Sequence, residues 1–277
     1  MKINMIKLKE ILTRGGIVET SDGVVGRRSL SAPVRDTISY LANNGGKVLF
    51  LTTSTRYPFN TGYNLGGVEN ELPKSTELAL YIKDSIPNET HWIDVPQLKI
   101  LPCEGNVSHK DGNHCGVEAA TLKDKTKNPT GHHRCWASVN DKSDELWKIS
   151  KKLFEYDTVM FFASVRWGQT NSIYQKLIER LTWIQNRHET LQDINTIQGK
   201  KAGFICIGQN YGGAQIADLQ HKVLNYYGFD APENLFWNWQ YTDDESDDTA
   251  ESYKLADKQF HLDLGIPEIK LEERKRD

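Results

Sequence analysis

Cysteine is scarce in this chain, and long apolar runs are absent. Four cysteines occur among 277 residues, too few for a fold that disulfides hold together. No stretch reaches the roughly 18 apolar residues that a membrane-spanning helix needs. The first ten residues also lack the unbroken apolar core of a secretory signal. We therefore expect a cytoplasmic protein with reduced thiols and no membrane as partner.

Neither sign of charge is in excess. The chain has 34 Lys and Arg residues against 37 Asp and Glu residues, which gives a formal net charge of -3. Binding to nucleic acid or to an anionic membrane depends on a basic surface, so neither is expected as a partner. Apolar residues make up 38 % of the chain, enough to bury a sizeable core.

Two phosphate-binding motifs are also missing. No Gly-x-x-x-x-Gly-Lys-Ser/Thr sequence occurs, which excludes a P-loop nucleotide hydrolase. No Gly-x-Gly-x-x-Gly follows the first predicted strand, which argues against a Rossmann domain that binds dinucleotides.

What the chain does contain is three apolar runs that end in hydroxyl, amide or glycine residues. They lie at 47–56, 161–171 and 202–213. Buried parallel strands end in this way where they present a ligand at the carboxyl edge of a sheet. Three such endings suggest one ligand that is held between three loops.

Predicted strands alternate with predicted helices along most of the chain. The strands fall near 47–53, 91–95, 158–163, 202–208 and 235–241, and the main helices fall at 75–84, 143–156, 171–190 and 214–227. This alternation predicts an α/β fold with a parallel sheet that helices cover on both faces. Five strands fit a doubly wound, flavodoxin-like sheet of order 2-1-3-4-5, in which a crevice opens between strands 1 and 3.

Domain limits are expected at both ends of this pattern. Residues 1–44 form an N-terminal extension with a short helix near 32–41, and residues 45–262 form the flavodoxin-like domain. A long insertion with cysteine and histidine covers 97–140, and a charged tail covers 263–277.

The loop after strand 1 has the composition of an anion site. Thr53-Ser-Thr-Arg56 supplies hydroxyls and a guanidinium, and Ser75 and Thr76 open the next helix. Hydroxyls, an arginine and the free N–H groups of a helix start together favour a phosphate. The alternative is a capped helix that follows an ordinary polar loop.

These motifs resemble those of a known family. Thr53-Ser-Thr-Arg56 and the later Ser75-Thr-Glu-Leu-Ala79 are similar to the phosphate loop of flavodoxin-like, NAD(P)H-dependent FMN reductases. Ser164-Val-Arg-Trp-Gly168 resembles the family's loop along the flavin ring, and Lys176-Leu-Ile-Glu-Arg180 resembles its next helix. Gly208-Gln-Asn-Tyr-Gly-Gly213 resembles its third, glycine-rich loop.

The resemblance implies non-covalent FMN, with NAD(P)H as the electron donor. The phosphate would be held by Ser54, Arg56, Ser75 and Thr76, with Asn60 and Thr61 as rivals. The ring would lie against the other two loops, at Ser164, Val165, Arg166, Trp167, Gly168, Asn210, Tyr211, Gly212 and Gly213. No protein residue is predicted as a catalytic acid or base, because the flavin itself does the redox chemistry.

Arg166 departs from the small or apolar residue that is usual in the family. Three roles are open for it: offsetting negative charge on the reduced ring, binding an anionic substrate, or pairing with a surface acid.

Cysteine and histidine concentrate in the insertion. Ile100-Leu-Pro-Cys-Glu-Gly105 resembles a turn of iron–sulfur flavoproteins, but Asn106 stands at the second cysteine and the spacing of a [4Fe–4S] cluster is missing. Zinc bound by the cysteines and one histidine, a redox-active thiol, a lid, and ordinary loop residues all remain open. No metal ligand is predicted. The residues concerned are Cys103, His109, His114, Cys115, His132, His133 and Cys135.

The function that follows is electron transfer from NAD(P)H to a small acceptor, such as a quinone, a nitro compound, free flavin or a metal ion. The alternatives are an electron-transfer module or a regulatory binding protein without reductase activity. A homodimer or homotetramer is expected from the resemblance. The aromatic segments Leu181-Thr-Trp183 and Phe236-Trp-Asn-Trp239 could supply its contact surface, or belong to the core.

Overall fold

The computed structural model describes residues 17–19, 25–27, 30–55, 72–208, 212–240 and 250–265. Its first element is an antiparallel hairpin of β1 (Ile17–Glu19) and β2 (Val25–Arg27). Eight strands and seven α-helices occur in these ranges. Within them, no helix is long and apolar enough to cross a membrane.

Five parallel strands build the main sheet. They are β3 (Val48–Thr52), β4 (Thr90–Asp94), β5 (Thr158–Arg166), β7 (Lys201–Gly208) and β8 (Phe236–Gln240). The two-residue β6 (Gln169–Thr170) pairs antiparallel with the end of β5. The order across the sheet is β4-β3-β5-β7-β8. Counted along the chain, the five long strands follow 2-1-3-4-5, so the predicted flavodoxin-like order is confirmed.

Burial explains why these segments are strands. β5 is buried from Thr158 to Val165, and all five residues of β3 are buried, as expected for strands that helices cover on both faces. Phe50 and Phe162 stack across the two strands with ring centroids 6.0 Å apart. β4 lies at the edge of the sheet, and all its residues are half-buried.

The helices connect the strands and cover both faces. They are α1 (Ser31–Asn44), α2 (Lys74–Asp84), α3 (Trp136–Asn140), α4 (Leu146–Glu155), α5 (Ser172–Glu189), α6 (Gly213–Tyr226) and α7 (Ala250–Leu264). α1 buries Val34 and Leu41, and its Thr37 hydroxyl accepts a hydrogen bond of 2.9 Å from Trp237 Nε1. Part of the predicted N-terminal extension therefore packs into the core, while the domain limits near 44 and 262 stay predictions.

The insertion is irregular apart from α3 and short 3₁₀ turns. Arg180 of α5 binds it at Leu101 and forms a buried ion pair with Asp144, just after the insertion. Arg180 Nη1 donates to Asp144 Oδ1 at 2.8 Å and to the Leu101 carbonyl at 2.6 Å, and Nη2 donates to Asp144 Oδ2 at 2.9 Å. Both side chains are fully buried. Burial acts to raise the pKa of Asp144, but hydrogen bonds from Arg180 and Ser138 outweigh it and lower that pKa.

The two aromatic segments that were considered for a subunit interface lie in the core. Leu181 and Trp183 are at most 1 % exposed, and Trp237 and Trp239 at most 2 %. They therefore do not offer a contact surface.

Candidate functional site

The sheet order opens a crevice at the carboxyl ends of β3 and β5. β3 continues through α2 to β4 on one side, whereas β5 continues through α5 to β7 on the other. The two connections leave in opposite directions, which is the topological switch point where open α/β sheets bind ligands. The residues singled out from the sequence fall on the loops around this point.

Asn171 fixes the two strand ends relative to each other. Its Nδ2 donates to the Thr53 carbonyl at 2.7 Å and contacts Ser164 Oγ at 3.3 Å. Its Oδ1 accepts from Tyr174 N at 3.2 Å and so caps α5. Asn171 was not predicted as a site residue, although an asparagine directly before an amphipathic helix is a recognisable cap.

The first turn of α2 carries two buried hydroxyls with unused hydrogen-bonding capacity. Ser75 Oγ and Thr76 Oγ1 are inaccessible to solvent and have no hydrogen-bond partner in the described part of the chain. Buried polar groups without partners are uncommon and unfavourable. The start of a helix also carries partial positive charge and free N–H groups. A bound anion would satisfy both hydroxyls.

The rest of the predicted phosphate loop is only partly described. Ser54 follows β3 directly and is 2 % exposed. Arg56 and the rival pair Asn60 and Thr61 lie outside the described residues.

The loop that was predicted after strand 3 is a tight hairpin. Val165 and Arg166 belong to β5 and pair with Thr170 and Gln169 of β6. The turn between them consists of Trp167 (φ 50°) and Gly168 (φ 67°). Positive φ at both central residues matches a type I′ turn, which suits the twist of a two-residue hairpin.

Trp167 is unusual at this position. A non-glycine residue in the left-handed region costs about 1–2 kcal/mol. The side chain is also 91 % exposed at the tip of the hairpin. Strain together with an exposed aromatic is typical of a ligand-contacting residue.

Arg166 is exposed and lies beside this turn. Its Nη1 donates to the carbonyl of Val165 at 2.9 Å. Among the described residues no carboxylate pairs with it. The surface ion pair considered from the sequence is therefore not formed there.

The loop after β7 touches this hairpin through glycine backbones. Gly212 has φ 83°, and a Cβ placed on it would lie 2.6 Å from Gly168 Cα. A Cβ on Gly213, the first residue of α6, would lie 2.4 Å from Asn238 Nδ2. Side chains at either position would force the loops apart. Asn210 and Tyr211, which were predicted to contact the ring, lie outside the described residues.

Asn238 is a buried polar residue beside Gly213 that was not singled out from the sequence. It is 1 % exposed on β8, and its Oδ1 has no partner in the described ranges. A single amide in the otherwise aromatic run Phe236-Trp-Asn-Trp239 was the available signal.

The C-terminal helix packs against the first turns of α2. Lys74 Nζ forms an ion pair with Asp257, and His261 Nε2 lies 3.4 Å from Glu77 Oε1. Phe260 packs on Trp239 of β8 with ring centroids 5.6 Å apart. α7 therefore joins the start of α2 to β8, the last strand of the sheet.

The cysteines of the insertion are free thiols in a partly buried setting. Burial, together with the neighbouring Cys135 and Cys103, raises the pKa of Cys115 to about 12. The pKa of Cys135 is also raised, chiefly by burial. Both side chains are thus protonated near neutral pH and are poor nucleophiles.

The metal-ligand side chains that come together are not the cysteines. In the described ranges, the group of His, Cys, Asp and Glu whose ligand atoms all lie within 4.8 Å is His109, Asp111 and His114. The zinc site that was considered from the cysteines and one histidine is not assembled in this arrangement.

Comparison with known proteins gives distant structural neighbours. No protein-family model and no curated protein matches the chain. RosB, solved with bound 8-demethyl-8-formylriboflavin-5′-phosphate, is 16 % identical, with a TM-score of 0.47 over 80 % of this chain and 77 % of that one.

Two further neighbours are described as reductases. An FMN-dependent NADH-azoreductase from Bacillus anthracis in complex with FMN is 13 % identical, with a TM-score of 0.42 over 79 % of this chain and 98 % of that one. A putative quinone reductase from Klebsiella pneumoniae is 16 % identical, with a TM-score of 0.39 over 81 % and 86 %. The assignment to the flavodoxin-like class rests on the strand order of the chain itself.

Proposed function

We propose that this protein is an FMN-dependent oxidoreductase that passes electrons from NAD(P)H to a small acceptor. The observation that carries the proposal is the pair of buried, unpartnered hydroxyls of Ser75 and Thr76. They stand at a helix start on the carboxyl edge of the sheet, beside the switch point. A phosphate monoester has the negative charge that a helix start favours and the acceptor oxygens to which these hydroxyls can donate.

The glycine contact across the crevice supports a planar ligand next to the phosphate. Gly168 and Gly212 bring two loop backbones together, so that their polar groups can approach a ring closely. Trp167 offers an exposed aromatic face at the same place. Bound FMN would supply the hydride and electron chemistry, and these residues would orient it and limit the access of water.

We assign to Arg166 the role of stabilising negative charge on the flavin ring or on the substrate. It is a cation at the crevice without a carboxylate partner among the described residues. In that position it favours negative charge on a neighbouring group. The acceptor, the choice between NADH and NADPH, and assembly as a homodimer or homotetramer are parts of the proposal that need direct measurement.

The experiment is reconstitution followed by spectroscopy and kinetics. The desalted protein is incubated with FMN, freed of excess, and measured for visible absorption and for oxidation of NADH and NADPH with a quinone. We expect near-stoichiometric flavin and turnover. Retained flavin without turnover would favour an electron-transfer module. No retained flavin would contradict the proposal and leave a regulatory binding protein.

A matched pair of variants tests the phosphate site itself. In Ser75→Ala/Thr76→Val, loss of two buried hydroxyls without partners leaves the stability of the free protein unchanged or slightly higher. Hydrogen bonds to a charged group contribute roughly 1.5–3 kcal/mol each, so FMN affinity is expected to fall at least ~10-fold.

The control is Ser85→Ala at the other end of the same helix, where the hydroxyl donates to the Tyr81 carbonyl at 2.7 Å. It is expected to leave FMN affinity unchanged. Equal losses in both variants would remove the phosphate assignment.

A further inference from the structure

We propose that the insertion binds a divalent transition-metal ion, Zn²⁺ in the first instance, through His109, Asp111 and His114. The site is separate from the proposed flavin crevice and uses none of the cysteines. Two imidazoles and one carboxylate are a ligand set that zinc accepts, with water from solvent at the remaining position.

The ligand geometry is close to what a tetrahedral ion requires. The three ligand atoms lie within 4.8 Å of one another. His109 Nδ1 is 3.5 Å from Asp111 Oδ2. Two ligands on one tetrahedral zinc ion are about 3.3 Å apart when each bond is about 2.0–2.1 Å long. The two imidazole rings are stacked with centroids 4.4 Å apart, and side-chain rotation would have to turn their nitrogens toward a shared ion.

The backbone between the ligands is already folded into a turn. Gly112 N donates to the His109 carbonyl at 2.9 Å, which closes the turn. Asp111 N donates to His109 Nδ1 at 3.3 Å, and an ion bound at Nδ1 would replace this hydrogen bond. Gly112 has φ 107°, a conformation that favours glycine. The turn holds the first two ligands on the same side of the loop, which reduces the entropy lost when the ion binds.

The third ligand is anchored to α5. Asn113 and Asn186 exchange hydrogen bonds of 2.6 and 2.8 Å through their side-chain amides. Asn186 Nδ2 also donates to the Cys115 carbonyl at 2.6 Å, and Trp136 Nε1 donates to the His114 carbonyl at 2.8 Å. Supporting bonds of this kind fix a metal ligand in place before the ion arrives.

The position of the anchor indicates a structural role. Residues 172 and 186 are separated by about 21 Å along α5, at about 1.5 Å per residue. The helix begins at the proposed flavin crevice, so its last turn and the ion held near it are remote from the chemistry. An ion there would hold the irregular loop 103–116 against α5.

The test uses the full chain, stripped with a chelator and then titrated with ZnCl₂ by calorimetry and with CoCl₂ by absorption. We expect one ion per chain and a Co²⁺ spectrum without the near-ultraviolet charge-transfer band of a thiolate ligand. His109→Ala/His114→Ala is expected to lose binding at least 100-fold, with an unchanged far-ultraviolet circular dichroism spectrum. Asp111→Asn, which keeps the shape of the turn, is expected to weaken binding at least 10-fold.

Two control variants make the proposal falsifiable. His91→Gln, on the edge strand β4, and Cys103→Ser/Cys115→Ser are expected to bind as the parent protein does. Binding that persists in the double histidine variant overturns the proposal. So does binding that disappears in the cysteine variant, because the thiols would then be the ligands. Absence of any binding to the parent protein overturns it as well.

Discussion

At the scale of single residues, Trp167 combines two unfavourable properties. Its backbone is in the left-handed region, and its indole is almost fully exposed. Asparagine or glycine would form the same turn at lower free energy. The neighbouring Arg166 is likewise exposed at the crevice. Both features make sense if the tip of the hairpin contacts a ligand.

We expect Trp167→Gly to leave the stability of the free protein within ~1 kcal/mol of the parent, because relief of strain offsets the greater freedom of the unfolded chain. Loss of an aromatic contact worth roughly 0.5–1.5 kcal/mol should weaken FMN binding about 2- to 10-fold. Titration followed by flavin fluorescence measures this effect. Trp167→Phe keeps an aromatic ring and should retain most of the affinity. Unchanged affinity in the glycine variant would remove Trp167 from the site.

At the scale of elements, the Arg180–Asp144 pair joins α5 to the segment just after the insertion. Both side chains are fully buried, and Asp144 also accepts a bond of 2.6 Å from Ser138 Oγ. The sequence motif that contains Arg180 was selected for its resemblance to a reductase helix. The structure gives this arginine a packing role that depends on residues 36 to 79 positions away.

Asp144→Asn should therefore destabilise the protein strongly. It leaves a buried guanidinium without its counter-charge, and breaking such a pair typically costs about 3–5 kcal/mol. Urea unfolding at neutral pH measures the loss. Asp141→Asn is the matched control, because the Asp141 carboxylate accepts hydrogen bonds from Ser143, two residues along the chain, and the variant should lose less than ~1 kcal/mol. Similar losses in the two variants would contradict the assigned role of the pair.

The sequence predicted elements better than it predicted contacts between them. Apolar runs located all five long strands, and hydrophobic periodicity located α2, α5 and α6 within one or two residues. It ended strand 3 at 163, whereas β5 continues to Arg166, because pairing with β6 extends it and Trp-Gly is not a typical hairpin signal.

Site residues were missed where their partners lie far away in the chain. Asn171 bonds to Thr53, 118 positions earlier, and Asn238 approaches Gly213 from the next strand. The first turn of α2 was predicted from its hydroxyls alone, but only the structure shows that both are buried without partners among the described residues. Burial is a property of the packed molecule, which spacing and composition do not specify.

At the scale of the whole molecule, the proposed flavin crevice and the insertion lie at opposite ends of α5. The proposed flavin crevice lies at the carboxyl edge, where β3, β5 and β7 end, and the insertion packs along α4 and α5 down to the last turn of α5. His133 lies where the insertion and these helices meet. Its Nδ1 is 2.8 Å from Ser150 Oγ of α4, and its ring packs on Trp183 of α5.

This junction should make global stability sensitive to acid. Burial lowers the pKa of His133 to about 3. Asp144 acts to raise this pKa, and Arg180 lowers it by a smaller amount. An unfolded histidine titrates near pH ~6.5. Between these values the unfolded chain binds one proton more than the folded one. The free energy of unfolding should therefore fall by up to ~1.4 kcal/mol per pH unit as the pH drops from ~6.5 toward 3, and this contribution should be constant above ~6.5.

Urea unfolding at pH 7, 6, 5 and 4 tests this dependence, with a chelator present so that no metal contributes. In His133→Gln the side chain no longer titrates, so the free energy of unfolding should change less between pH 6 and 5 than in the parent protein. The variant should also be less stable at pH 7, because a packed ring is lost. An equal slope between pH 6 and 5 in the parent protein and in His133→Gln would show that protonation of His133 does not drive acid unfolding, because the stability that the lowered pKa of Asp144 contributes is lost only at more acidic pH.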